Sequence, residues 1–304
     1  MTVETVRAPS RQDATLPSLP LARVRAAVVA AAPHLFWGAL SIGLFAGIWE
    51  ACWALGWSDP KLLPPPHVFI GNIVDQAKFF NTANRWQIGV GGSGPTPAMA
   101  VLYTVLASTG RVLSGLVIAF ALAITTGVAI RYFEIFEKLT LPTITLLAPV
   151  SPIAWLPVAI FLFGIGNGPA VFMVVVALFF HMVLATITQI DGVNRNFINV
   201  ARTMGATKRQ TYARVVIPAI LPGLFWVLRM NLFGAWMVVL IAEATGVGYG
   251  LGQVIMLARN TFNPSLVFFT IGLIGVLGFS FDFMLRQVQR RLLYWVPREV
   301  VSGL

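Results

Sequence analysis

Long apolar runs, separated by short polar stretches, dominate the chain. A helix needs about 20 mostly apolar residues to cross a hydrocarbon core of roughly 30 Å. Six segments have that length: about His34 to Trp57, Thr109 to Tyr132, Leu139 to Phe163, Pro169 to Ile190, Leu221 to Ala244 and Pro264 to Leu285. The pattern predicts an all-α polytopic membrane protein with six transmembrane helices. An even number of crossings places both termini on one side. The third segment is the least regular, because Pro142, Pro149, Pro152 and Pro157 lie inside it. Backbone opened at membrane depth survives only where protein or a water-filled path covers it.

The polar stretches predict the connections. Ser58 to Ser108 reads as an external segment. It holds Pro64-Pro65-Pro66, an amphipathic run from Val68 to Phe80 that predicts a short helix, and a glycine-rich loop from Gly89 to Pro95. Between spans five and six, Gly246, Gly248, Gly250 and Gly252 alternate with other residues, which suits tight turns. Their spacing is not that of a phosphate-binding loop, and no Lys-Ser/Thr pair follows.

Composition supports the membrane reading and narrows the chemistry. The 304 residues are 57% hydrophobic and 11% charged, with a mean hydropathy of +0.81; soluble domains carry about 25% charged residues. Lone Cys52 excludes an internal disulfide and a multi-cysteine metal site. His34, His67 and His181 are scattered, so no clustered catalytic or metal constellation is expected, and no cofactor is expected on this chain. The net charge is +10. Fifteen of the 21 Lys and Arg fall on the side of the two termini; Lys61, Lys78, Arg85 and Arg259 fall on the other, and Arg111 and Arg229 sit at or near membrane boundaries. That asymmetry is the positive-inside bias rather than a nucleic-acid surface, and it predicts cytoplasmic termini. Residues 1–33 lack the compact apolar core of a cleavable signal and are expected to form a cytoplasmic tail, with Arg23 to Ala32 as a short interfacial helix. Residues 34–295 are then the membrane domain and 296–304 a second tail.

Charges within spans are costly and often functional. Glu243, near the outer end of span five, is expected either to hold the Gly246–Gly252 loop or to meet a docking partner. Arg229 either snorkels to headgroups or attracts an anion, and Asp282 is expected to pair with Arg286 at i+4. His181 reads as a packing residue. Prolines free backbone carbonyls, so Ser151, Pro152, Trp155 and Pro157, together with Trp236, are candidates for a transport path; a kinked helix packed in the bundle fits the first four equally well.

The most informative segment is the coupling-loop candidate, residues 191–218. It is polar and basic, yet has the grammar of two short helices joined by a turn. Phe197, Val200, Ala201 and Met204 recur at helical spacing. Gly205 offers a chain reversal, and Thr207 with Gln210 reads as a capping box opening a second helix. Pro218 and Pro222 are expected to end that helix and start the next span.

The run Asn199-Val200-Ala201-Arg202-Thr203-Met204-Gly205-Ala206, followed by Ile217-Pro218 and Leu221-Pro222, resembles the Glu-Ala-Ala…Gly…Leu-Pro loop of bacterial ABC importer permeases. Asn199 stands where that motif has Glu. Leu62-Leu63-Pro64-Pro65-Pro66, Gly110-Arg111-Val112-Leu113-Ser114-Gly115, Pro149 through Pro157 and Gly234-Ala235-Trp236 with Ala242-Glu243 are similar to the nitrate/sulfonate/taurine/bicarbonate branch of the family. The resemblance spans about residues 60–295. It implies a type I ABC importer permease fold and the import of a small anion delivered by a solute-binding protein. It also implies a permease homodimer in membrane lipid with two ATPase subunits that use ATP and Mg. Asn199, Val200, Ala201, Arg202, Met204, Gly205 and Lys208 would form the docking lever, with Arg202 and Lys208 pairing with acidic groups of the ATPase. The alternative is a self-sufficient secondary transporter or channel, which calls for paired mid-membrane ionisable groups and inverted repeats.

Overall fold

A computed structural model describes residues 20–57, 59, 61–83 and 96–293. Residues 1–19 of the expected tail 1–33, the expected tail 296–304 and the glycine-rich loop Gly89–Pro95 lie outside them. The described residues are helical, with no strand among them. The chain divides into two compact units, Met1–Pro66 and His67–Leu304.

The first unit contains one helix, α1 (Pro20–Ala54). The expected interfacial helix at Arg23–Ala32 is not separate; it continues without a break into the first span. Ala26 to Ala32 holds only alanine and valine, and α1 runs on through Pro33.

The second unit opens with α2 (Pro66–Gly71) and α3 (Ile73–Ala83). It continues with α4 (Pro97–Tyr132), α5 (Glu134–Leu147), α6 (Leu156–Phe163) and α7 (Asn167–Asp191). Two short helices follow, α8 (Arg195–Thr203) and α9 (Lys208–Thr211), then α10 (Ile217–Ala242), α11 (Leu251–Asn260) and α12 (Pro264–Leu292). Among the described residues five helical runs are long and apolar enough to cross a membrane, or six if one bent pair counts as a span.

Three expectations are corrected. First, α4 starts at Pro97, so the last dozen residues of the supposed external segment belong to a 36-residue helix. At about 1.5 Å per residue it outreaches the hydrocarbon core. Second, the third span is not one continuous helix from Leu139 but a pair of helices, Glu134–Leu147 and Pro152–Phe163, bent by 103°, which together pass as a sixth, broken span. Ser151 takes φ −58°, ψ 133°, as the clash with the following Pro152 demands. Pro142, by contrast, stays inside α5. Third, Pro218 and Pro222 do not separate a loop helix from span five. Residues Lys208–Val247 form one 40-residue helical run, because a π-helical turn at Tyr212–Val216 admits Pro218 at the start of α10 without a break.

The centre of the bundle is α4 against α7. Gly115, Ala119, Ala123 and Gly127 recur every four residues on one buried face of α4. A Cβ on Gly115 would lie 2.6 Å from the Val174 Cβ, and one on Gly127 would lie 2.7 Å from Thr186 Cγ2. In lipid, where apolar burial drives little association, such small residues let two backbones approach and gain dispersion contact. Leu228, Leu232, Ala235, Trp236 and Val239 of α10 join the same core.

Candidate coupling surface and membrane pathway

The segment between α7 and α10 is a capped helical hairpin. Asn194 accepts a hydrogen bond from the Asn196 amide at 2.9 Å and opens α8. The turn needs Gly205, whose φ is +79°, a region side chains avoid. Thr207 and Gln210 form the expected capping box: the Gln210 amide donates to Thr207 Oγ1 at 3.3 Å, and the Thr207 amide donates to Gln210 Oε1 at 2.9 Å. Phe197, Val200 and Met204 are 59%, 58% and 82% exposed. Their spacing puts all three on one face of the hairpin. Asn199 and Arg202 are exposed beside them, and Ala201 is half-buried.

Lys208 finds a partner within the chain. Its ammonium donates to the Tyr132 carbonyl at 2.6 Å and lies 4.7 Å from the centre of the Tyr132 ring. Tyr212 donates to the Arg131 carbonyl at 2.8 Å. Arg131 in turn pairs with Glu137 of α5 and Asp191 of α7. Hence Lys208 fastens the hairpin to the end of α4, and Arg202 is left as the outward-facing base of the pair.

The pathway candidates divide. Ser151 and Pro157 are exposed, and Pro152 and Trp155 are half-buried at the 103° bend. Trp155 packs on the core cluster that contains Trp236. Trp236 is 3% exposed and packs on Phe281 with ring centres 5.9 Å apart. Neither indole N–H has a hydrogen-bond partner.

A buried polar network closes the other end of the bundle. Arg111 Nη1 meets Glu243 Oε1 at 2.5 Å, with side chains 3% and 0% exposed. Arg111 Nε donates to Asn167 Oδ1 at 2.8 Å, and its guanidinium stacks 4.2 Å from the Tyr249 ring centre. Tyr249 donates to Asn167 Oδ1 at 2.7 Å. Glu243 also accepts the Gly252 amide at 3.0 Å. A Cβ on Gly252 would sit 2.1 Å from the Leu240 carbonyl oxygen, so glycine is required for the chain to reach this carboxylate. Glu243 therefore holds the Gly246–Gly252 loop, the first of its two expected roles. Its partner Arg111 went unpaired in the sequence, although the predicted spans place both at the same membrane face with opposite charge.

Asp282 pairs with Arg286 as expected, and with Arg229 of α10 as well. Arg229 is thus held across the bundle rather than reaching freely to headgroups. His181 is exposed, with Nδ1 3.3 Å from the Ala177 carbonyl. No group of three or more His, Cys, Asp or Glu that could hold a metal occurs among the described residues.

A family model described as binding-protein-dependent transport system inner membrane component matches residues 115–294. The chain belongs to that family. A probable ABC transporter permease of Brucella abortus is 34% identical over 194 residues, 64% of this chain and 78% of the relative. The taurine transport system permease of Escherichia coli is 27% identical over 261 residues, 84% of this chain and 89% of the relative. Matched relatives also include an aliphatic sulfonates transport permease of Bacillus subtilis and a nitrate import permease of Synechococcus elongatus. Among solved structures, an inward-facing MetNI methionine ABC transporter chain aligns with a TM-score of 0.56 at 17% identity, covering 66% of this chain and 95% of that one. The fold is that of a type I ABC importer permease. The chain is a multi-pass membrane component of an ABC importer, not the self-sufficient transporter weighed as the alternative. The family match takes in the hairpin, the bent pair from Glu134 to Phe163, and Glu243, but begins four residues after Arg111.

Proposed function

We propose that this permease works as a homodimer in a bacterial inner membrane, with both termini in the cytoplasm and one ATPase subunit docked on each α8–α9 hairpin. Asn199, Val200, Ala201, Arg202, Met204 and Gly205 form the docking lever, and Lys208 anchors it. The observation that carries this reading is the exposed Phe197–Val200–Met204 face on a capped hairpin that runs without a break into span five. Exposed apolar side chains of this size each gain about 1.5–3 kcal/mol when buried, so a protein groove is a better environment for them than water. The permease binds no cofactor; ATP and Mg serve the ATPase.

A solute-binding protein delivers a small anion at the Gly246–Gly252 side. Ser151, Pro152, Trp155, Pro157 and Trp236 border its route. The solute class, a small oxyanion such as a sulfonate or nitrate, rests on the relatives' names. Gly205→Pro tests the lever, since the +79° φ of this turn is closed to proline. In a reconstituted complex the variant inserts in the membrane and loses ATP-driven uptake. Uptake at the wild-type rate would refute the docking role. Calorimetry of the partner binding protein with taurine and with nitrate separates the solutes.

A further inference from the structure

Outside the network at Arg111, one surface feature enters the transport reading only through Trp236. A groove of about 390 Å³ runs between α10 and α12, lined by Phe233, Trp236, Met237, Ile271, Gly275 and Phe279 among others. Phe233, Met237, Ile271 and Phe279 are 51%, 70%, 51% and 71% exposed, so the groove opens outward from the bundle. Its floor is wide because Gly275 and Gly278 present no side chain there. The helical repeat continues each wall toward the C-terminal end of α12: Phe233 lies one turn beyond Arg229, and Phe279 lies two turns before Arg286. Those same two helices are clamped there by Asp282, which accepts from Arg229 and from Arg286. Two guanidinium groups around one carboxylate leave a net positive charge, and Arg286 is 47% exposed. Arg290 is exposed one turn further on.

We propose that this groove binds one acyl chain of an anionic phospholipid whose phosphate rests on the Arg229–Asp282–Arg286 cluster. From Gly275 to Arg286 is 11 residues, about 16 Å along the helix, a distance one acyl chain spans with its headgroup at the membrane boundary. Charge argues for lipid over a second copy of this chain. A two-fold axis along the membrane normal keeps equivalent residues at one depth, so a self-contact here would bring two cationic clusters into the same plane with no opposite charge between them. An anionic headgroup supplies the opposite sign, and a juxtamembrane Arg near such a headgroup is worth about fivefold in binding.

The experiment uses the full chain purified with its partner subunits and exchanged into dioleoyl phosphatidylglycerol or dioleoyl phosphatidylcholine, with bound lipid counted by native mass spectrometry. Gly275→Phe fills the groove; a Cβ at Gly275 meets no atom within 4 Å, so the new side chain enters open space, and an unchanged thermal melt checks that the variant keeps its fold. The wild type retains one phosphatidylglycerol per chain in preference to phosphatidylcholine. Gly275→Phe loses that lipid, and Arg286→Gln weakens the preference about fivefold, whereas Arg259→Gln leaves both unchanged. Retention by Gly275→Phe, or an unaltered preference in Arg286→Gln, overturns the proposal. Efficient Gly275→Cys disulfide crosslinking between two copies would also overturn it, assigning the groove to a subunit interface.

Discussion

Replacing Arg111 by methionine removes a buried charge and leaves its partner in place. Glu243 is fully buried, and its Oε1 lies 2.5 Å from Arg111 Nη1. With charge centres about 4 Å apart, an effective dielectric near 20 gives an attraction of about 4 kcal/mol. Stranding one member of a buried pair typically costs about 3–5 kcal/mol. Arg111→Met is therefore expected to destabilise the permease by about that amount. Adding Glu243→Gln should restore most of the loss, because a neutral amide still accepts the Gly252 amide while requiring no counter-charge. The double variant is expected within about 2 kcal/mol of the wild type, a coupling far outside the additivity of independent sites. Reversible unfolding in mixed micelles, followed by tryptophan fluorescence, supplies the four corners of the cycle. Losses that simply add, or an Arg111→Met variant within about 1 kcal/mol of wild type, would refute the stranded-charge argument.

Gly252→Ala drives a Cβ to 2.1 Å from a backbone carbonyl and should cost about 1–3 kcal/mol. Gly272→Ala, with nothing within 4 Å, should be neutral or gain up to about 1 kcal/mol; thermal melting of the two variants separates them. Thr207→Ala removes the hydroxyl that accepts the Gln210 amide, one half of the capping box, and should weaken the hairpin by about 1 kcal/mol, seen as faster amide exchange at 208–211. Met204→Asp places a charge on the exposed apolar face and should cut recovery of the ATPase subunit with the permease about tenfold. Equal recovery would place docking elsewhere.

Apolar run length made the spans legible, and short-range capping grammar made the hairpin legible: Thr207 and Gln210 fix their own geometry whatever surrounds them. The bend was legible only as trouble. Four prolines lie between residues 142 and 157, and no local rule says that Pro142 stays in a helix while the chain turns at 148–151. The surrounding bundle decides which freed carbonyls are covered. The π-helical turn before Pro218 is equally a product of the whole run. A basic residue such as Lys208 beside an apolar docking face has two sinks, a partner's acid or its own chain. Only the fold brings the Tyr132 carbonyl to it.

The hydrogen bonds assign the moving parts. The run from Lys208 to Val247 is continuous, about 60 Å long. It is tied to α4 at both ends, through Lys208 and Tyr212 at one and Glu243 at the other. Along its length α4 is locked to α7 by the Gly115–Gly127 stripe, where no ångström of slack remains. A displacement applied at Met204 must therefore carry α4, α7 and α10 together. The element with a ready hinge is the bent pair Glu134–Leu147 and Pro152–Phe163, joined by four residues at a 103° angle. Spin labels on the exposed positions Val117 of α4 and Met237 of α10 should keep a fixed separation when ATP is added to the assembled importer. Labels on Val117 and on Phe161 of α6, which is 87% exposed, should change theirs. The reverse result would mean that the buried ion pair opens during transport, and the rigid three-helix body would have to be abandoned.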